Sequence, residues 1–286
     1  MESARLGAWQ SPDKPLFSHA DSYALAGLLC NAREAKNLGS MLTSISSNSA
    51  STSSALKRAI EWEIAKESPL EALLPVVEEF SSHTSLQRLL EELVRSEQSL
   101  ENLIGRSCKH ALGFEKYMLL SEHPAFQVRL HVWWPQRHPV KEHIHNHRFS
   151  FVSGVVLGSI TFETYFLADG GQEMDLYVEH LQPHSRSWIF RKERTDRVSA
   201  NLSATLRSGS AYRLDSRTLH RIHVPSGVLS ATLLIETRAI HDSTSVLVAT
   251  GDDQPQHIER RKLSTSEYLN GIRRVASALE ASNPLL

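Results

Sequence analysis

Phe126-Gln-Val-Arg-Leu-His-Val-Trp-Trp134 alternates apolar and polar side chains with a period of two, the pattern of a half-buried strand. Outward from it, apolar runs follow in quick succession. Phe149 to Tyr165 holds two of them around Gly158, and Met174 to Leu181, Ser187 to Arg191, Ser210 to Leu214 and Val228 to Glu236 add more. Asp169-Gly170-Gly171, Pro183 and Pro225-Ser226-Gly227 separate them as turns. Many short strands at close spacing predict a mainly β protein, an antiparallel barrel or jelly roll over residues 113–245.

The flanks read differently. Residues 1–54 combine a short helix around Tyr23 to Leu29 with a serine-rich linker, Ser44 to Ser54, which has almost nothing to bury. In residues 55–112, Leu56, Ile60 and Ile64, then Leu70, Leu73, Leu74 and Val77, then Leu86, Leu89, Leu90 and Leu93 form helical stripes. Three helices are expected there, the third from Thr84 or Ser85, with stripes serving as core or as an oligomer face. Residues 246–286 form an extension ending in an amphipathic helix, Ser264 to Leu279, with Ser264 and Glu267 at capping-box spacing.

The 286 residues are 41% hydrophobic and 22% charged, which excludes a disordered or fibrous chain. Thirty-one Lys and Arg against 32 Asp and Glu leave no basic field, so nucleic acid is not an expected partner. A polar start, with Glu2 and Arg5, and apolar stretches broken well short of about 18 residues predict neither signal peptide nor membrane span. A cytoplasmic location is the matching expectation. Cys30 and Cys108 lack the spacing of a thiolate metal site or a disulfide framework.

Histidine is the over-used residue. Nine of the fifteen, His131, His138, His143, His145, His147, His180, His184, His220 and His223, fall between 131 and 223. In Lys141-Glu-His-Ile-His-Asn-His147 three imidazoles alternate, and on a strand such side chains share one face. Two neighbours can bind one ion, and an adjacent strand carrying His220 or His223 would complete a facial set.

His145-Asn-His147-Arg-Phe-Ser-Phe151, continued to Gly158, resembles the first cupin motif, with Phe151 where the motif has glutamate. Gly209 to Val224 is similar in spacing to the second motif at Gly209 and His220, while Asp215, Arg217 and Val224 depart from it. Lys116-Tyr117, Phe126 to Trp133, Ile144-His-Asn-His147 and Asp215-Ser216 with Leu219-His-Arg-Ile222 resemble, in order, the three-histidine thiol dioxygenase (cysteine dioxygenase) branch over about residues 114–238. The resemblance implies a cupin barrel with His145, His147 and His220 on a metal, usually Fe(II). It leaves His143 as a support or an exposed group, and His223 as structural or an alternative ligand. Three departures bear on substrate. Leu119 replaces the family's carboxylate-binding arginine, Val152 replaces its cross-linking cysteine, and Leu233 to Thr237 has no tyrosine partner. Cysteine is therefore not the expected substrate.

Arg129, His131 and Trp133 share one strand face. If it lines the barrel, Arg129 is a buried cation awaiting an anion such as a substrate carboxylate; if not, it is solvated. Tyr165 and Tyr212 either present hydroxyls to the cavity or belong to the core. Phe149, Phe151 and Trp133 would keep water out. The expected activity is that of an Fe(II) cupin oxygenase using O2 on a small anionic, metal-chelating substrate. Zn, Cu, Ni and Mn are the alternative ions, and a homodimer is one possible assembly. The alternatives are a non-oxidative metal cupin (decarboxylase, lyase or isomerase) and a non-catalytic ligand-binding cupin.

Overall fold

The computed structural model describes residues 51–96, 100–181, 188–252, 257–258 and 260–282. Its helices are α1 (Thr52–Ile64), α2 (Pro69–Phe80), α3 (His83–Arg95), α4 (Leu100–Gly105) and α5 (Thr265–Ala281). The helix expected at 23–29 lies outside the described residues, as does most of the serine run. The end of that run is helical, not linker. Ser51 caps α1 by accepting from the Ser54 N–H, and the Glu92 carboxylate accepts from the N–H groups of Thr52 at 2.7 Å and Ser53 at 3.1 Å. Ser82 likewise caps α3, starting it at His83. In α5 both halves of the Ser264–Glu267 capping box are formed.

The strands are β1 (Cys108–Lys109), β2 (Glu115–Glu122), β3 (Phe126–Trp133), β4 (Val140–Lys141), β5 (Ile144–His145), β6 (Phe151–Leu157), β7 (Ser159–Leu181), β8 (Trp188–Arg207), β9 (Ala211–Leu214), β10 (Leu219–Val224), β11 (Ser230–Thr237), β12 (Ser243–Ala249), β13 (His257–Ile258) and β14 (Arg261–Lys262). They form two antiparallel sheets, ordered β14-β1-β2-β3-β11-β6-β9 and β13-β8-β7-β12-β5-β10-β4, with β7 also paired to β10. This is the expected jelly roll.

The first sheet is buried on both faces. On its outer face Val128, Leu130, Val132, Val152, Leu233 and Ile235 share one core with Leu73, Val77, Leu86, Leu89 and Leu90 of the helices, so those leucine stripes are core. Gly154 permits this contact, since a Cβ there would meet Ser81 Oγ at 2.1 Å. On its inner face Trp133, Phe151, Val155 and Leu234 meet Ile160, Phe162, Ile222 and Val224 of the second sheet. The polar side chains of 126–134 therefore point inward, into the barrel.

Two expected boundaries change. Asp169-Gly170-Gly171 does not end a strand; β7 runs 23 residues through it. Pairing passes from Leu167↔Val198 to Gln172↔Val198, so residues 168–171 form a bulge, and a Cβ on Gly171 would meet the Val198 carbonyl oxygen at 2.3 Å. β8 extends 20 residues where only 187–191 was expected. Lys192-Glu-Arg-Thr-Asp-Arg197 carries no apolar period because it lies at a sheet edge, where charge deters pairing with other chains. β2 and β12 had no sequence expectation. Both include short apolar runs, and β12 straddles residue 245, pairing with β5 and β7.

Candidate metal centre

β5 and β10 set His145 opposite His220 in register. His147 follows two residues on, where its N–H donates to the Ser216 carbonyl at 3.1 Å while Asn146 Oδ1 accepts from the Ser245 N–H at 2.7 Å. These bonds hold the turn after β5 so that His147 swings back toward its neighbours. One ligand nitrogen from each of His145, His147 and His220 lies within 4.8 Å of the others, and the three ring centroids are 4.6–5.0 Å apart.

These residues fit a divalent ion. Opposed ligands at roughly 2.1 Å from one ion span about 4.2 Å, so a small inward adjustment of the rings completes the set. Nδ1 of His145 lies 2.9 Å from the His143 carbonyl, which can only accept, so Nδ1 carries the proton and Nε2 keeps its lone pair. Nδ1 of His220 is buried with no hydrogen-bond partner, a condition an ion bound at that nitrogen would relieve. Burial lowers His145 to about 4 and takes His147 and His220 well below the ordinary histidine value, with neighbouring imidazoles lowering these two further. All three are thus neutral near pH 7, the form a metal needs.

The surroundings are aromatic. His147 lies 5.1 Å from Phe149 and 5.0 Å from Phe151, and His220 lies 5.9 Å from Phe162. Phe151, at the cupin glutamate position, puts a phenyl ring where the motif would put a fourth ligand. Among the described residues the metal-holding group contains three histidines and no carboxylate.

The other candidate side chains divide between the two sheet faces. Arg129 is interior, 7% exposed, and its anion is internal: Nη1 lies 2.6 Å from Glu236, to which Gln127 also donates at 2.6 Å. The guanidinium sits 5.0 Å over Phe149. His131 packs on Phe114 at 4.5 Å and Trp133 at 6.1 Å; its Nε2 and Trp133 Nε1 are buried without partners. Tyr212 is interior, 4.8 Å from Phe162, and burial raises its phenol. Tyr165 and His223 are not brought to the histidines. They lie on the outer face of the second sheet, where Glu163 accepts from Tyr165 Oη at 2.5 Å, Arg221 Nε at 2.6 Å and His223 Nε2 at 2.9 Å. Odd-numbered residues of β10 face away from His220, which is why His223 falls there. His143 stays outside the trio and supports His145 through its carbonyl.

Leu119 and Val152, the positions that carry the thiol dioxygenase functions in the resemblance, face the helices and not the histidines.

Four interior or buried groups had no place in the sequence reading of the site. Glu236 had a signal, as the one charge in the apolar run Leu233-Leu-Ile-Glu. Lys116 and His110 did not, because β2 was not recognised and its register to β3, Lys116↔His131, fixes the face. Glu142, 5% exposed, is raised by burial to about 8. It lies between the two short strands β4 and β5, where no periodicity exists to be read.

No family model matches the sequence, and no curated protein sequence matches it. Among solved structures it is similar to one of the DMSP lyases RdDddP and RnDddQII, at 16% identity and a TM-score of 0.27, covering 49% of this chain and 50% of that one. The chain thus spans half the length of that structure. It is also similar to an RmlC-like cupin from Shewanella frigidimarina NCIMB 400, at 14% identity and 0.30, covering 48% and 86%, and to KdgF from Halomonas sp., at 10% and 0.27, covering 47% and 87%. Likenesses at this level carry no argument about chemistry. What identifies the molecule is its own geometry: an antiparallel jelly roll with three neutral imidazoles converging inside it.

Proposed function

We propose that the chain is a metal-dependent cupin oxygenase that holds Fe(II) on His145, His147 and His220 and acts with O2 on a small anionic, chelating molecule other than cysteine. The observation that carries this reading is the three-histidine group itself, neutral and without a carboxylate, inside an aromatic-walled barrel. In such a site Fe(II) keeps its full charge, which favours an anionic bidentate substrate and activation of dioxygen beside it. Phe149, Phe151 and Phe162 exclude water from the histidines. Arg129, fixed by Glu236 and stacked on Phe149, adds a positive field on the His147 side. Cysteine is disfavoured because Leu119 offers no cation and faces the helices.

A second reading, a non-oxidative lyase, decarboxylase or isomerase, is favoured by Glu142. Its buried carboxyl, within electrostatic reach of Tyr212, is protonated near pH 7 and suits proton transfer.

Oxygen uptake separates the two. Iron-loaded protein is expected to form a nitrosyl adduct under anaerobic nitric oxide and to consume O2 with a panel of small dianions and enolates. Both are expected to vanish in a folded His145→Ala variant. Turnover without O2 uptake would move the assignment to the second reading, and full turnover by His145→Ala would overturn both.

A further inference from the structure

Lys116 is half-buried on the barrel face of β2, where Glu236 acts on it only at a distance. Its register partner on β3 is His131, and on the other side Cys108 of β1, so these three share the inner face. Among the described residues Lys116 makes no ion pair, whereas the neighbouring cation Arg129 is matched by Glu236. Two further cations converge on the same region. Arg148, next in sequence to His147, stands 5.0 Å over the ring of Trp188, and Arg260 stands 4.3 Å over it. Neither makes an ion pair among the described residues. Glu179 lies within electrostatic reach of both, its carboxyl raised above the usual range by burial and lowered by their charges. Electrostatic influence links the group: Arg260 acts on Lys116 and on His110, and Arg129 acts on Lys116 and on His147. Lys116, Arg129, Arg148 and Arg260 thus face only the carboxyls of Glu236 and Glu179, an excess of positive charge linked to the three histidines through Arg129 and His147. Cations held partly away from water without a close carboxylate are stabilised when an anion meets them.

We infer that Lys116, with Arg260 beside it, forms a second anion subsite, so that the substrate is a small molecule with two separated anionic groups, one at the histidine site and the other at Lys116. This rests on the reading of the barrel interior as the substrate pocket. A lysine ammonium suits a carboxylate as a point charge, and the spread of the cations from β2 to the turn after β5 suits a dicarboxylate better than one compact anion.

The test uses succinate and butyrate, equal in chain length and differing in the second carboxylate, titrated calorimetrically into wild type, Lys116→Met and Lys116→Arg, each metal-free and zinc-loaded. Succinate is expected to bind zinc-loaded wild type at least tenfold more tightly than butyrate. Lys116→Met should reduce that preference to near parity, Lys116→Arg should keep most of it, and zinc stoichiometry should be the same in all three. Equal binding of the two acids by wild type, or a preference that survives Lys116→Met, would overturn the subsite. Failure of wild type to take up zinc would count against the metal reading alone, and the metal-free titrations then decide the subsite by the same comparison. Lys116→Gln replaces the Met variant if the latter does not fold.

Discussion

Arg129 and Glu236 form a buried ion pair whose members are each useful only with the other. Glu236→Gln leaves a buried guanidinium without its anion and is expected to destabilise the protein by about 3–5 kcal/mol. The double variant Arg129→Met/Glu236→Leu should recover most of that loss. Urea unfolding of wild type and the two variants tests this; a double variant no more stable than Glu236→Gln would show that the pair is not the origin of the effect. Glu163 gives a pH-dependent case on the opposite sheet face. Partial burial raises its carboxyl, but hydrogen bonds from Tyr165 and Arg221, with the charges of Arg221 and His223, outweigh this and bring it down to about 2. A carboxylate depressed in the folded state contributes stability that is complete above the unfolded value near 4.3 and is lost as pH falls toward 2. Glu163→Gln should therefore lower Tm at pH 7, and the difference should shrink steadily between pH 5 and pH 2. At this scale the histidine triad was legible from two independent spacings, the His145–His147 pair and His220; strand alternation alone would have grouped His143 with them, whereas β5 ends at His145 and His147 lies in the turn beyond it. The partners of Arg129 and the location of Lys116 were not, since they depend on which strands become neighbours.

At the scale of elements, α5 docks through a residue with no side chain. A Cβ on Gly271 would lie 2.0 Å from Tyr117 Oη and 2.4 Å from its Cζ, and Tyr117 is itself buried between Tyr268 and its hydrogen bond to Glu115. Gly271→Ala should cost about 1–3 kcal/mol by forcing that packing apart, despite alanine's better helix propensity. An unchanged or raised Tm would contradict the docking. Elements with two chemically distinct faces were readable: β3 because its helix-facing side chains are apolar and most of its barrel-facing ones polar, α3 from its leucine stripe, α5 from its capping box. β2, buried on much of both faces, gives a plain apolar run, and the outer part of β8 gives a charged one. Neither shows the period by which a strand is recognised. Gly170 and Gly171 were read as a turn because a bulge and a turn draw on the same residues.

At the scale of the molecule, the helices and the second sheet cover opposite faces of one sheet. The helix face carries the apolar half of β3 and the barrel face carries its polar half with the histidines. Stability and chemistry are thereby separated. Leu86→Ala in α3, fully buried in the helix core, should cost about 2–5 kcal/mol while leaving metal uptake unchanged, as read by thermal unfolding and metal content side by side. Loss of metal in a folded Leu86→Ala variant would mean that the two cores are coupled. The central claim is that His145, His147 and His220 together hold one divalent ion. The most direct measurement is metal per chain by elemental analysis, after reconstitution and removal of excess, for wild type and for each single alanine variant of the three. The account predicts one ion per chain in wild type and close to none in each variant, with circular dichroism unchanged. An unloaded wild type, or a His220→Ala variant that keeps its full complement, would contradict it.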